Sequence, residues 1–239
     1  MYVFLSRALL AVLGLIFGSF IAAFTYRYPR RLSVKKGRSF CDVCKTPLSW
    51  YDNLPVLSFF LLGGKCRVCK KRISFRYPLI ELITMAGFLA VGFNLFPLIV
   101  FCLLAIIFIL DYENKIIPDE FVFWGMFFSL FLINESFYGN FFAGFLMASF
   151  LMLIHLVTKG RGMGLGDVKF AVLGGMIVGP GLSAIWMFLA FLTGAIVAII
   201  LILVKGAKMR DQIAFGPFLV LAVPITLIWG EKIIQVLRW

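Results

Sequence analysis

Acidic residues are scarce in this chain, with 11 Asp and Glu against 23 Lys and Arg in 239 positions, and there is a single histidine. The lone His155 excludes a histidine-rich metalloprotease centre, and neither HExxH nor GxSxG occurs. No GxGxxG follows a strand-like segment, which removes a Rossmann pocket from consideration. Long polar stretches are equally rare. The only one runs over residues 27–76, too short to build a large core by itself. There is no low-complexity linker, and no internal repeat stands out.

What is present is apolar. Hydrophobic residues make up 62% of the chain and its mean hydropathy is +1.03, whereas a soluble domain is about 45–50% apolar. The composition defines an all-α polytopic membrane protein. The first apolar run continues to Tyr26 with no small-residue cleavage site, so it reads as a span and not as a removable signal. Spans are expected at 3–26, 78–96, 97–111, 120–134, 140–158, 168–180, 182–204 and 214–232, about eight transmembrane helices in all. The organisation follows: residues 1–26 form a first transmembrane helix, 27–76 a cytoplasmic loop domain, and 77–239 a multi-span membrane domain.

The basic residues supply a check on this topology. Segments 27–76, 111–120, 158–169 and 205–211 hold 20 of the 23 Lys and Arg, and eight alternating spans put all four on one face. By the positive-inside rule that face is cytoplasmic, and both termini lie outside. The net charge of +12 then reports topology and contact with anionic lipid. Nucleic acid is not indicated as a partner.

The 27–76 loop contains CDVC at 41–44 and CRVC at 66–69, with 21 residues between the pairs. Two CxxC knuckles let four thiolates surround one Zn²⁺, which helps fold a loop this short. Cys41, Cys44, Cys66 and Cys69 are therefore the expected metal ligands. Two disulfides or a redox pair are the alternatives. Lys65, Arg67, Lys70 and Lys71 flank the knuckles and favour thiolates. Cys102, alone in a span, reads as a small buried apolar residue.

With so few acids, each one near a span is a candidate for chemistry. Asp111 ends the third expected span in FILDYENKIIPDE, and Asp167 opens the sixth in RGMGLGDVKF. The topology brings both to the cytoplasmic surface, 56 positions apart in sequence. Two aspartates that share a proton can activate water with one carboxylate and polarise a carbonyl with the other. The competing readings are a helix-end Asp111 paired with Lys115, and Asp167 as the N-cap of its helix. Gly162, Gly164 and Gly166 suit a bend with φ > 0 and the close approach of an extended peptide. Glu113, Asp119 and Glu120 read as solvated, with Asp119 able to cap the fourth span. Glu81, one turn into the second span, should face a polar cavity or a basic partner such as Arg76.

Taken together, five stretches resemble the type IV prepilin leader peptidases. They are GSFIAAFTYRYP at 18–29, CDVC through PLIEL at 41–82, FILDYENKIIPDE at 108–120, GMGLGDVKF at 162–170 and FGPFL at 215–219. The resemblance implies that Asp111 and Asp167 form the catalytic pair, with Gly162, Gly164 and Gly166 in the supporting loop. It also implies a second activity, S-adenosylmethionine-dependent N-methylation of the cleaved product, with Cys41, Cys44, Cys66 and Cys69 as the family quartet. Glu81 is then a candidate methyltransferase or substrate contact. Prepilins or pseudopilins in a bacterial inner membrane are the implied substrates. A peptidase without methylation, a transporter and a zinc-ribbon membrane adaptor remain the rival classes.

Overall fold

The computed structural model describes residues 2–33, 38–133, 137–205 and 214–237. Nine α-helices lie among them. In chain order they are α1 (Tyr2–Arg27), α2 (Leu57–Leu61), α3 (Arg76–Val91), α4 (Leu95–Asn114), α5 (Asp119–Ser129), α6 (Phe137–Val157), α7 (Leu165–Val178), α8 (Ser183–Lys205) and α9 (Gly216–Leu237). Extended pairing among the described residues is limited to two isolated bridges, Phe40 with Pro47 and Lys65 with Arg72. The all-α membrane class is thus as expected.

Each of the eight expected spans contains a helix, but they differ in reach. Five helices, α1, α4, α6, α8 and α9, are long and apolar enough to cross a membrane. Helices α3, α5 and α7 have 16, 11 and 14 residues. At about 1.5 Å per residue they fall short of a hydrocarbon core of about 30 Å. The structure therefore supports five crossings by length and composition, and the count of eight rests on charge alternation alone. The basic 205–211 segment lies largely outside the described residues.

Boundaries move for local reasons. The divide between α3 and α4 falls at Gly92, whose φ of 76° ends α3, and α4 begins at Leu95. Pro97 sits in its first turn, where a missing N–H costs nothing. At the other end α4 runs three residues past Asp111. Lys115, at φ 56°, then turns the chain and donates its N–H to the Asp111 carbonyl at 2.8 Å. Asp111 is thus inside α4, one turn from its end, and does not terminate it.

The contacts divide the chain into two compact units, residues 1–102 and 103–239. In the first, α1 packs on α3. Gly14 and Gly18 face that crossing: a Cβ at Gly14 would stand 2.6 Å from Met85 Cα, and one at Gly18 would stand 2.7 Å from Glu81 Cα. Small residues one turn apart let two apolar helices approach backbone to backbone.

In the second unit α7 is the centre, in contact with α5, α6, α8 and α9. Its Phe170, Ala171 and Leu173 are fully enclosed. The α6–α7 crossing is tight, since a Cβ at Gly175 would come within 2.7 Å of Gly144 Cα. Trp186 of α8 fills the space over Gly174 and donates its indole N–H to the Leu219 carbonyl of α9 at 2.9 Å. A short helix with most of its residues covered by neighbouring helices has less need to reach across lipid, in keeping with the length of α7.

Candidate active site and metal centre

The second unit brings Asp111 and Asp167 together. Asp111 comes from the last turn of α4 and is 5% exposed; Asp167 comes from the first turn of α7 and is 8% exposed. The two carboxylates interact electrostatically. Among the described residues, two buried side-chain oxygens lack a hydrogen-bond partner, and they are Asp111 Oδ2 and Asp167 Oδ1. A buried acceptor left open is costly in a structural role. Here one belongs to each member of the pair.

Asp167 is not the N-cap that the sequence suggested. The helix starts two residues earlier, Gly164 is the N-cap, and Asp167 occupies the third helical position. From there its Oδ2 reaches back to accept the Gly164 N–H at 3.2 Å. That bond orients one oxygen and leaves the other free.

The glycines are also used differently from expectation. None of Gly162, Gly164 and Gly166 has a positive φ; the left-handed residues of this loop are Lys159 and Gly160. Their value is room. A Cβ at Gly164 would lie 3.2 Å from Asp167 Oδ2, and one at Gly166 would lie 3.1 Å from Ile117 Cβ. The loop is tied down as well. Gly162 donates its N–H to Thr158 Oγ1 at 3.0 Å, and His155 Nδ1 lies 2.7 Å from the Met163 carbonyl oxygen. His155 therefore serves the loop's shape.

Two residues of the site went unread in the sequence. Gly216, the first residue of α9, directs its backbone N–H to the Asp111 carboxylate. Ile117 lies between Gly216 and Gly166, within van der Waals reach of a Cβ at either. The FGPFL stretch at 215–219 was quoted as a motif, and its glycine was the available signal. Asp119 is exposed, as expected, but it is not the cap: Pro118 is the N-cap of α5, and Asp119 pairs with Lys169 of α7 at 2.7 Å.

The first unit carries the four cysteines. Their Sγ atoms all lie within 4.8 Å of one another, and Cys41 and Cys69 are 3.9 Å apart. Tetrahedral thiolates at about 2.3 Å from Zn²⁺ are about 3.8 Å apart, so the quartet fits such an ion. No disulfide joins them. The two knuckles fold alike. Cys41 N–H donates to Thr46 O and Lys45 N–H to Cys41 O; in the second, Cys66 N–H donates to Lys71 O and Lys70 N–H to Cys66 O. Lys45 and Lys70 each take a left-handed turn, at φ 59° and 57°. The pattern C-x-V-C-K is thus a short structural repeat.

Local hydrogen bonds poise these thiols for a cation. Those from Thr46, hydroxyl first and then backbone, lower Cys44 to about 6. The Cys69 and Val68 backbone N–H groups lower Cys66. Cys69 goes the other way, to about 11: the Lys71 backbone lowers it, but burial and the neighbouring sulfurs prevail.

Below the knuckles lies a cavity lined by Phe40, Cys41 and Cys66 from the loop and by Ser19, Tyr77 and Glu81 from α1 and α3. Glu81 faces this cavity, 6% exposed, and accepts the Val56 N–H on Oε2 at 2.7 Å. Arg76 donates to Ala22 O at 2.8 Å and Thr25 Oγ1 at 2.7 Å.

The fold and site define a helical membrane protein with two buried, interacting aspartates in one unit and a four-cysteine cluster able to hold a metal in the other. Residues 98–199 match the model of the type IV leader peptidase family, and residues 12–95 match the bacterial peptidase A24 N-terminal domain. The chain is 33% identical to the prepilin leader peptidase/N-methyltransferase of Bacillus subtilis over 242 residues, covering 95% of this chain and 96% of that protein. It is 30% identical to the protein of that name from Pseudomonas aeruginosa, covering 93% and 90%. For the Aeromonas hydrophila protein the identity is 35%, covering 84% and 74%. No solved structure matches the chain. The chain belongs to the type IV leader peptidase family.

Proposed function

We propose that this protein is a bifunctional enzyme of the bacterial inner membrane. It removes the basic leader of prepilins or pseudopilins after glycine, then methylates the freed amino terminus with S-adenosylmethionine. The observation that carries the peptidase reading is the pair of open oxygens, Asp111 Oδ2 and Asp167 Oδ1, in two buried carboxylates that interact. The curated names of its relatives support both activities.

Two buried carboxylates that interact hold one proton between them more readily than two negative charges. The ionised member takes a proton from water, and the resulting hydroxide attacks the scissile carbonyl. The protonated member hydrogen-bonds the carbonyl oxygen as negative charge develops there. Collapse of the tetrahedral intermediate breaks the C–N bond, and the departing amine takes up the proton delivered by the water. Gly164 N–H fixes Asp167, and the Gly216 backbone fixes Asp111. The glycines at 162, 164 and 166 let Thr158, Asp167 and Ile117 pack closely against the loop.

Cys41, Cys44, Cys66 and Cys69 would hold Zn²⁺ as a structural staple for the 38–75 loop. S-adenosylmethionine supplies an electrophilic methyl group, and the cavity under the knuckles offers it aromatic rings and both signs of charge. The distribution of basic residues supports an active site at the cytoplasmic face in contact with anionic lipid, and a count of eight spans would leave both termini outside.

The test is cleavage of a prepilin by purified protein in detergent, with sequencing and mass measurement of the product. An amino terminus beginning after the leader glycine and carrying one added methyl group is the expected result. Full cleavage by both the Asp111→Asn and Asp167→Asn variants would sink the peptidase assignment.

A further inference from the structure

The cleavage chemistry above uses Asp111 and Asp167, and Glu81 lies in the other unit in a closely built setting. It lies in α3 with its side chain on the helical floor of the cavity. Gly18 permits the crossing that puts it there, since a Cβ at Gly18 would stand 2.7 Å from Glu81 Cα. From α1, Ser19 adds a side-chain hydrogen bond to the carboxylate. From the loop, Val56 donates its N–H at 2.7 Å. Val56 does so from φ 60°, ψ −48°, a conformation that a β-branched residue keeps only under constraint. Strain of this kind persists where the geometry it secures is used.

The chemistry of methyl transfer indicates which reactant the charge serves. The incoming ammonium first gives a proton to water. The nitrogen lone pair then attacks the methyl carbon, and the C–S bond breaks with its electron pair going to sulfur. The products are an N-methylammonium and a neutral thioether, so positive charge has moved from sulfur to nitrogen. An anion beside sulfur loses its partner during the step. An anion beside nitrogen gains one, and only the second arrangement favours the transition state over the bound reactants.

We propose that Glu81 is the receptor for the amino terminus released by cleavage, holding that nitrogen on the cavity floor while the methyl donor binds nearer the knuckles. This rests on the methyltransferase reading above. Ala23 and Pro78, which line the same floor, offer apolar contact to the first side chain of the released hydrophobic helix.

The test uses the full-length protein, radiolabelled S-adenosylmethionine and mature pilin with a free or an acetylated amino terminus. Glu81→Gln is expected to bind the donor as tightly as the unaltered enzyme while methylating about 100-fold more slowly, the size of effect expected for one lost electrostatic contact in a transition state. Glu81→Asp should recover part of that rate. Undiminished methylation by Glu81→Gln overturns the proposal. Loss of donor binding in that variant also overturns it, because Glu81 would then serve sulfur. A further measurement needs no variant. The unaltered enzyme should bind free-amine pilin at least about tenfold more tightly than acetylated pilin, and equal binding would overturn the proposal even if Glu81→Gln failed to fold. If the unaltered enzyme cleaves but never methylates, the methyltransferase reading itself fails, a result distinct from any outcome in the variants.

Discussion

Gly216 stands against Asp111: a Cβ on the glycine would lie 2.5 Å from Asp111 Oδ2 and 2.9 Å from Ile117 Cδ1. No side chain fits there without displacing the carboxylate. Gly216→Ala is therefore expected to leave the fold intact and to slow leader cleavage by about 100-fold, the scale set by displacing a reacting group by about 1 Å. Steady-state cleavage alongside thermal unfolding checks this. A variant that cleaves at the normal rate means that Asp111 has more freedom than its surroundings indicate.

The two aspartates should fail as a unit. Asp111→Asn and Asp167→Asn are each expected to reduce cleavage by roughly 10²–10⁴-fold, and the double variant should be little worse than either alone. The pH profile follows from one shared proton. Acid protonates both carboxylates and removes the base, while alkali ionises both and removes the acid, so the rate should fall on each side of a maximum. Either single variant should lose that bell shape.

The site was half legible in the sequence, and the division has a physical cause. Asp111 and Asp167 were readable because acids near spans are scarce and because lysines and arginines set the face on which both must lie. The cysteine quartet was readable because metal ligation demands a spacing. Gly216 and Ile117 were not, since their roles depend on packing between segments about 50–100 positions apart, which no local pattern encodes. The loop glycines misled for a related reason. Glycine serves both for positive φ and for want of a Cβ, and only the neighbouring Asp167 and Ile117 show that the second applies. Helix α7 was readable as apolar but not as enclosed, because an apolar stretch looks the same whether lipid or protein covers it.

The ion pair between Lys169 and Asp119 joins α7 to α5, but its side chains are 47% and 51% exposed. Exposed pairs contribute about 0.2–1 kcal/mol and weaken with salt. Asp119→Asn should lower stability by no more than that and leave cleavage within about twofold, although Asp119 is only eight positions from Asp111. Denaturation and cleavage assays at low and high salt separate this acid from the catalytic pair. A loss of activity comparable to that of Asp111→Asn would place Asp119 in the chemistry after all.

Metal removal should separate the two activities. The cysteine quartet and the cavity beneath it belong to residues 1–102, and the aspartate pair belongs to residues 103–239. Each knuckle is held by three backbone hydrogen bonds and one isolated bridge, with little else of regular structure, so metal binding contributes much of the free energy that orders them. Stripping the protein with a strong chelator, or substituting Cys41→Ser, should release close to one zinc per chain and make the 38–75 loop sensitive to protease. Methylation should be lost, because Phe40, Cys41 and Cys66 wall its cavity. Leader cleavage should persist within a few fold, since the aspartate pair belongs to the other unit. Mass spectrometry of metal content, limited proteolysis and the two product assays read these outcomes together. A stripped protein that keeps both loop protection and methylation would show that the quartet is not the staple of its loop.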